Sequence, residues 1–112
     1  MVKSKDPAKI SPENGLFTLV NVFTVEPPNQ KKVVELLQND IAELICNLPG
    51  FVSCSIHTSL DGRAVINYAQ WKNKEYWEAM RKNPEAASRM GRVHQFATLQ
   101  SYSCRVESVQ HA

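Results

Sequence analysis

The run Leu16–Val25, LFTLVNVFTV, constrains the fold most, because it is a strand with little polar character on either face. β-Branched and aromatic residues dominate it, which is typical of β-strands. Successive side chains of a strand point to opposite faces, and both sets are apolar or neutral here, with Asn21 interrupting one of them. A chain of 112 residues has room for one modest core, so helices can cover only one face of its sheet. We expect a second subunit to cover the other face, which predicts a homodimer.

An amphipathic helix is predicted after this strand, with Asn29 as its N-cap and Pro49-Gly50 as its end. Charged and polar side chains occupy one side of this segment, and apolar side chains recur on the other side at helical spacing. The apolar positions are Val34, Leu37, Ile41, Leu44, Ile45 and Leu48.

A β-hairpin is predicted next. Residues 51–58 alternate between apolar and polar side chains, Asp61-Gly62 is typical of a tight turn, and residues 63–71 form the returning strand.

The last third of the chain predicts a second helical region and a final strand. Asn73 is the expected cap, Asn83-Pro84 restarts the helix, and residues 96–109 form the strand. The inner helical positions are Ala87, Met90 and either Val93 or His94. The resulting order, β-α-β-β-α-β, predicts an α+β fold of the ferredoxin-like type with an antiparallel sheet. We expect one such domain at residues 15–110, preceded by a flexible N-terminal arm at residues 1–14.

Charge and composition exclude several classes of protein. A net charge of +2, with scattered basic residues, argues against a nucleic-acid partner. No apolar run reaches the roughly 18 residues of a membrane span, and the polar start of the chain does not resemble a signal peptide. Cys46, Cys54 and Cys104 are odd in number and widely spaced, which favours reduced thiols and a cytoplasmic protein.

Common catalytic motifs are missing from the sequence. The four glycines form neither a dinucleotide-binding fingerprint nor a phosphate-binding loop. His57, His94 and His111 lack metal-ligand spacing to one another or to the cysteines, so no metal site is predicted. No cofactor is expected.

Three motifs resemble the antibiotic biosynthesis monooxygenase family over about residues 16–90. PGFV at residues 49–52 begins the second strand, LDG at residues 60–62 turns the hairpin, and VINYAQW at residues 65–71 forms the third strand. The first strand, VNVFTV at residues 20–25, is similar to that of members that oxidise aromatic polyketides. The resemblance implies a dimeric α/β barrel and an oxygenase that needs no cofactor.

The resemblance also implies site residues. The family's oxygenases use an asparagine on the first strand, and another asparagine and a tryptophan on the third, which Asn21, Asn67 and Trp71 match as catalytic candidates. Some members place a tyrosine six residues beyond that tryptophan and an arginine in the second helical region. Trp77 occupies the place of that tyrosine, with Tyr76 beside it, and Arg89 or Arg92 lies near the place of the arginine. The substrate-binding candidates are Tyr76, Trp77, Arg89 and Met90, with Arg92 as an alternative to Arg89. Haem-degrading members need a tryptophan and an axial histidine in the second helical region. The nearest places in this sequence are occupied by Met80 and Met90, so haem chemistry is disfavoured.

The residues themselves support the same site. Val65, Asn67, Ala69 and Trp71 share one face of their strand. A carboxamide on an apolar sheet face needs hydrogen-bond partners, which are either other protein groups or a ligand. The predicted reaction is oxidation of an electron-rich phenolic or polycyclic aromatic to a quinone by O₂. The two amides stabilise the substrate oxyanion and the indole orients the rings. The alternatives are a dimeric module that only binds small molecules and, less favoured, a haem-binding protein.

Overall fold

The computed structural model describes residues 7–112, so residues 1–6 of the predicted arm lie outside the described part. Four antiparallel strands form one sheet in the order β2-β3-β1-β4. They are β1 (Phe17–Val25), β2 (Phe51–Thr58), β3 (Ala64–Trp71) and β4 (Ala97–Cys104). The predicted ferredoxin-like order is confirmed, although β4 ends five residues earlier than the sequence predicted.

The first helical region is less regular than its sequence pattern. It begins with the 3-10 turn Pro27–Asn29 and continues through α1 (Gln30–Glu35), a π-helical segment (Leu36–Ile41) and α2 (Ala42–Ile45). The prediction that Asn29 caps the helix is wrong, because its side chain makes no capping hydrogen bond. The two prolines before Asn29 have φ angles fixed near the helical value, so the helical region begins before Asn29. Asn29 therefore already has helical backbone angles (φ −95°, ψ −5°), whereas a capping residue needs an extended backbone.

The second helical region divides where the sequence predicted. Helix α3 (Lys74–Arg81) is capped by Asn73, whose Oδ1 accepts a hydrogen bond from the backbone N–H of Tyr76 at 3.1 Å. Helix α4 (Pro84–His94) is capped by Asn83, whose Oδ1 accepts from the N–H groups two and three residues later, at 2.9 and 3.2 Å. Two short, separately capped helices can follow the sheet at different angles.

The β2–β3 hairpin turns at Gly62, whose φ of +80° is easily reached only by glycine. Asp61 organises the turn, because its Oδ1 accepts hydrogen bonds from the backbone N–H of Arg63 (3.0 Å) and the hydroxyl of Ser59 (2.7 Å). These bonds lower the pKa of the Asp61 carboxyl. The hairpin pairs Asn67 of β3 with Ile56 of β2.

The helices pack on one face of the sheet and form two buried clusters there. One cluster, which we call the closed core, lies where α1, the π-helical segment and α4 meet β1 and β3. Its members are Phe23, Val25, Val33, Leu37, Ile41, Val65 and Val93. The other lies under α3 and consists of Leu19, Ala69, Trp71 and Trp77. Of the two alternatives on α4, Val93 is buried and His94 is exposed.

The opposite face of the sheet carries apolar side chains that are only half-buried, or exposed in the case of Tyr102 at 50%. They are Val20, Val22, Ile66, Tyr68 and Tyr102. Near one end of this face, Gln70 Nε2 donates a hydrogen bond to the carbonyl oxygen of Lys9 at 2.7 Å, which ties part of the N-terminal arm to the sheet. No helix among residues 7–112 is long and apolar enough to cross a membrane.

Candidate functional site

A row of polar side chains crosses the otherwise apolar helix-facing side of the sheet. Asn21 on β1 lies directly opposite Asn67 on β3 and directly opposite Ser101 on β4. Side chains of directly opposed residues in antiparallel strands have Cβ atoms about 5 Å apart. The register therefore brings the two predicted asparagines together.

Ser101 fixes the orientation of Asn21. Its hydroxyl donates a hydrogen bond of 2.7 Å to Oδ1 of Asn21. Because the amide oxygen is engaged on the β4 side, the Asn21 Nδ2 group is left to donate elsewhere. The sequence analysis missed Ser101, since only the β1–β4 register shows its relation to Asn21.

Asn67 differs from Asn21 in having an unpaired oxygen. Its Oδ1 is buried, and no donor among residues 7–112 reaches it. A buried polar group without a partner costs about 1–3 kcal/mol. Because buried polar groups are almost always hydrogen-bonded, we expect a ligand or a water molecule to donate a hydrogen bond to this oxygen.

Two adjoining cavities lie between this row and the helices, with volumes of about 200 and 50 Å³. They share six lining residues: Leu19, Asn21, Ile41, Ile45, Met80 and Met90. The larger cavity reaches solvent beside Arg81, Ala87 and Ser101, which line it and are exposed. The smaller cavity extends inward from it toward Asn67 and Trp71.

Trp71 forms a rigid wall of the smaller cavity. Only 1% of its surface is exposed, and its ring packs edge-on against Phe51, with centroids 5.3 Å apart and planes at 80°. Asn21 and Asn67 line the same cavity. The structure thus brings all three predicted catalytic residues to one hollow, while their catalytic role stays a prediction.

The predicted substrate-binding residues divide into two pairs. Trp77 and Met90 line the larger cavity, and the Trp77 ring also packs on Phe17, with centroids 5.3 Å apart. Tyr76 and Arg89 line neither cavity.

Contacts elsewhere explain the positions of Tyr76 and Arg89. The Tyr76 ring packs so closely over the backbone of Gly50 that a Cβ there would overlap it. Arg89 is held between helices: it pairs with Glu43, and its Nε donates to Glu85 Oε1 at 2.9 Å. These acidic partners raise the pKa of Arg89, first through the Glu43 hydrogen bond and then through Glu85.

Arg81 is a cavity-lining residue that the sequence analysis did not single out. Its guanidinium carbon lies 4.9 Å from the centroid of the Trp77 ring. The i, i+4 spacing of the two residues on a predicted helix was the available signal, because it places them on one side of the helix.

The cavities contain no carboxylate or imidazole among their lining residues in the described part of the chain. Cys54 is their one thiol, and burial, followed by the charge of Cys46, raises its pKa above the ordinary value. The thiol is therefore protonated near neutral pH and is a poor nucleophile. Within residues 7–112, no group of three His, Cys, Asp or Glu side chains could hold a metal ion.

Comparison with known proteins identifies a family and a relative. Residues 16–89 match the family model described as antibiotic biosynthesis monooxygenase. The chain is also 47% identical, over 77 residues, to the tetracenomycin-F1 monooxygenase of Streptomyces glaucescens, and the alignment covers 69% of each chain. The resemblance seen in the sequence motifs is confirmed, and so is the predicted enzyme class at the level of the family.

Solved structures share the fold. A monooxygenase from the gene ActVA-Orf6 of Streptomyces coelicolor, in complex with nanaomycin D, is 29% identical with a TM-score of 0.71, covering 85% of this chain and 92% of that one. SnoaB, a cofactor-independent oxygenase from Streptomyces nogalater, is 19% identical with a TM-score of 0.72, covering 85% of this chain and 96% of that one. At that identity, the likeness to SnoaB shows the fold alone.

Proposed function

Because the chain belongs to the antibiotic biosynthesis monooxygenase family, we propose that it oxidises an electron-rich phenolic or polycyclic aromatic to a quinone with O₂ and without a cofactor. One observation carries the proposal: the amide oxygen of Asn67 is buried without a partner among residues 7–112, in a cavity that Asn21 and Trp71 also line. The names of the relatives, a tetracenomycin-F1 monooxygenase and an oxygenase bound to nanaomycin D, support an aromatic polyketide as the substrate class.

The substrate itself supplies the electrons. Its phenolate transfers one electron to O₂, and the resulting radical and superoxide combine into a carbon–oxygen bond. The peroxide takes up a proton and loses water, so that one oxygen atom stays as the new carbonyl and the other leaves as water. The atoms and electrons of the substrate and O₂ are all accounted for in the quinone and water, so no external reductant is needed. The amide N–H groups of Asn21 and Asn67 stabilise the phenolate and the peroxide oxygen, and the Asn67 oxygen, which has no partner among residues 7–112, accepts a hydrogen bond from the O–H of the protonated peroxide.

The first proton leaves the substrate without a carboxylate or imidazole, since the described cavity lining has neither. A polycyclic phenol that is already acidic, bound against two amide donors, ionises near neutral pH because hydrogen bonds to an anion lower its pKa. The enzyme's main tasks are therefore to orient the rings against Trp71 and to keep water from the reacting oxygen.

The cavity dimensions fit this substrate class. An apolar cavity of about 150 Å³ accommodates a benzene ring, and the two cavities here hold about 200 and 50 Å³. One or two fused rings fit inside, and the rest of a larger aromatic extends through the open mouth beside Ala87 and Ser101.

Replacement of Asn67 by alanine tests the proposal. We expect O₂ consumption with a dihydroxynaphthalene or an anthrone to fall by about 100-fold or more, as when one oxyanion donor is removed. Because the Asn67 oxygen has no partner in the described part of the chain, the melting temperature should not fall. Asn39→Ala is the matched control, since Asn39 is exposed and lies outside both cavities; it should retain full activity.

Equal rates for Asn67→Ala, Asn39→Ala and the unmodified protein, or rates no higher than in buffer, contradict the proposal for these substrates. Saturable quenching of tryptophan fluorescence by the same aromatics, without O₂ consumption, would instead identify a binding module.

We also propose that the protein acts as a homodimer in the cytoplasm. The half-buried apolar face formed by Val20, Val22, Ile66, Tyr68 and Tyr102 supports the dimer, because a monomer exposes this face to water. The three free cysteines favour a reducing compartment. Sedimentation equilibrium at micromolar concentration should give twice the mass of the chain, and a monomer mass contradicts the dimer.

A further inference from the structure

Arg81 provides positive charge at the mouth of an otherwise uncharged cavity. It is exposed, it lines the larger cavity, and it is the one charged residue in the lining that the structure describes. Its guanidinium rests on the face of Trp77, 4.9 Å from the ring centroid. Contact with a fixed indole limits the directions in which this long side chain can point.

The acidic side chains near Arg81 in sequence are engaged with other cations. Glu78, one turn earlier on α3, pairs with Lys74 at 3.7 Å. Glu85, four residues later, pairs with Arg89 at 2.9 Å. No carboxylate among residues 7–112 forms a salt bridge with Arg81. Its five N–H donors are therefore available to an anion from outside the chain.

We propose that Arg81 binds an ionised oxygen substituent, a carboxylate or a phenolate, on an aromatic ligand whose rings occupy the cavity. A guanidinium matches the planar geometry of a carboxylate, which it can bind through two parallel hydrogen bonds. The apolar lining holds the rings, and the cation at the mouth sets which end of the ligand stays outside. The inference rests on the proposed function only in treating that ligand as the substrate.

A purely structural role for Arg81 makes a different prediction. If the side chain only covers Trp77, its removal weakens all aromatic ligands alike, because the wall of the cavity loosens. If it binds an anion, its removal weakens the anionic ligand alone. Two ligands of equal size and different charge therefore separate the roles.

Isothermal titration with naphthoate and naphthamide makes this comparison. At about pH 7.5 the acid is ionised, since carboxylic acids have pKa values of about 4, and the amide is neutral and nearly identical in shape. We expect the intact protein to prefer naphthoate. Arg81→Gln should weaken naphthoate by about fivefold, the effect of a partly exposed ion pair, and should leave naphthamide unchanged.

Two further variants serve as controls. Arg81→Met keeps an apolar stem against Trp77 and should show the same selective loss. Lys82→Gln removes the same charge from the neighbouring residue, which is exposed and lines neither cavity, and should change neither affinity.

Equal affinities of the intact protein for the two ligands overturn the inference. So does an equal loss of both in Arg81→Gln and Arg81→Met, a loss of naphthoate binding as large in Lys82→Gln, or no binding of naphthoate at all. Because the titration involves no oxygen chemistry, charge selectivity without O₂ consumption refutes the proposed reaction and leaves the role of Arg81 standing.

Discussion

The closed core and the cavity region adjoin on the same face of the same sheet. Phe23, Leu37 and Ile41 of the closed core line the smaller cavity, and away from this boundary the two regions differ in how well they are filled. Val33, Val65 and Val93 of the closed core are 0% exposed and line neither cavity. Helix α4 contributes to both regions, with Val93 in the core and the smaller Ala86 and Ala87 at the larger cavity. The small side chains at the start of α4 do not fill the space above the sheet, so a cavity remains there. The larger side chain near the end of α4 fills the corresponding space in the closed core.

The two regions therefore divide stability from binding. A filled core gains dispersion contacts and removes apolar surface from water, whereas a hollow of this size gives up part of both. Asn21 and Asn67 lie between the regions, beside Phe23 and Val65 on one side and Leu19 and Ala69 on the other. The closed core thus provides a rigid support for the two amides at the edge of the hollow.

Enlarging one side chain of α4 in each region tests this division and should give the largest change in stability. Val93→Phe adds a ring to a space without room, so we expect the free energy of unfolding to fall by about 1–3 kcal/mol. Ala87→Phe extends into the mouth of the cavity and should change stability by only about 0.5 kcal/mol, the difference in helix propensity. Urea denaturation of both variants measures the two values.

The same pair should show the opposite order in binding. Ala87→Phe occupies the space that a ligand needs, so naphthamide should bind at least about tenfold more weakly. Folded Val93→Phe should bind it nearly as the intact protein does. If both variants lose stability equally and both keep the ligand, the two regions do not differ in filling.

The sequence predicted most of the architecture, and the errors lie where tertiary packing decides. The caps by Asn73 and Asn83 are local, since each side chain bonds backbone two or three residues ahead, and both helix starts were predicted. The π-helical segment Leu36–Ile41 was not predicted, because its apolar residues recur at ordinary helical spacing. A π-helical turn contains one more residue than an α-helical turn. Whether it forms depends on tertiary packing and on the hydrogen-bond partners of the carbonyl groups in that turn, which periodicity does not show.

The site shows the same limit. Alternation along β3 places Asn67 and Trp71 on one face, but only the resemblance to a family selected them from other polar and aromatic residues. The contact of Ser101 with Asn21 depends on the register of β4, and the place of Arg81 in the cavity lining depends on the position of α3 over the sheet. No residue close to Ser101 in sequence shows its relation to Asn21. The spacing of Arg81 from Trp77 places both on one side of α3, but it does not show that this side faces a cavity.

Arg89 gives the smallest expected effect and tests whether binding belongs to the cavity region alone. It lies outside both cavities, pairs with Glu43 and Glu85, and donates from Nη1 to the carbonyl oxygen of Asp40 in the π-helical segment at 2.9 Å. We expect Arg89→Met to lower the melting temperature by less than Val93→Phe does. The loss should shrink in 1 M salt, where the Debye length is only about 3 Å.

The kinetics of Arg89→Met decide between a link among helices and the substrate contact that the family resemblance implies. If Arg89 only joins α4 to the first helical region, KM and kcat for the aromatic substrate should match those of the intact protein. Arg105→Met is the control. Within residues 7–112 Arg105 forms a salt bridge only with the exposed Glu107, at 3.4 Å, so its replacement should change neither stability nor kinetics. A raised KM at an unchanged melting temperature would extend the binding surface beyond the cavity, since the lost interaction would then be with the substrate and not between the helices.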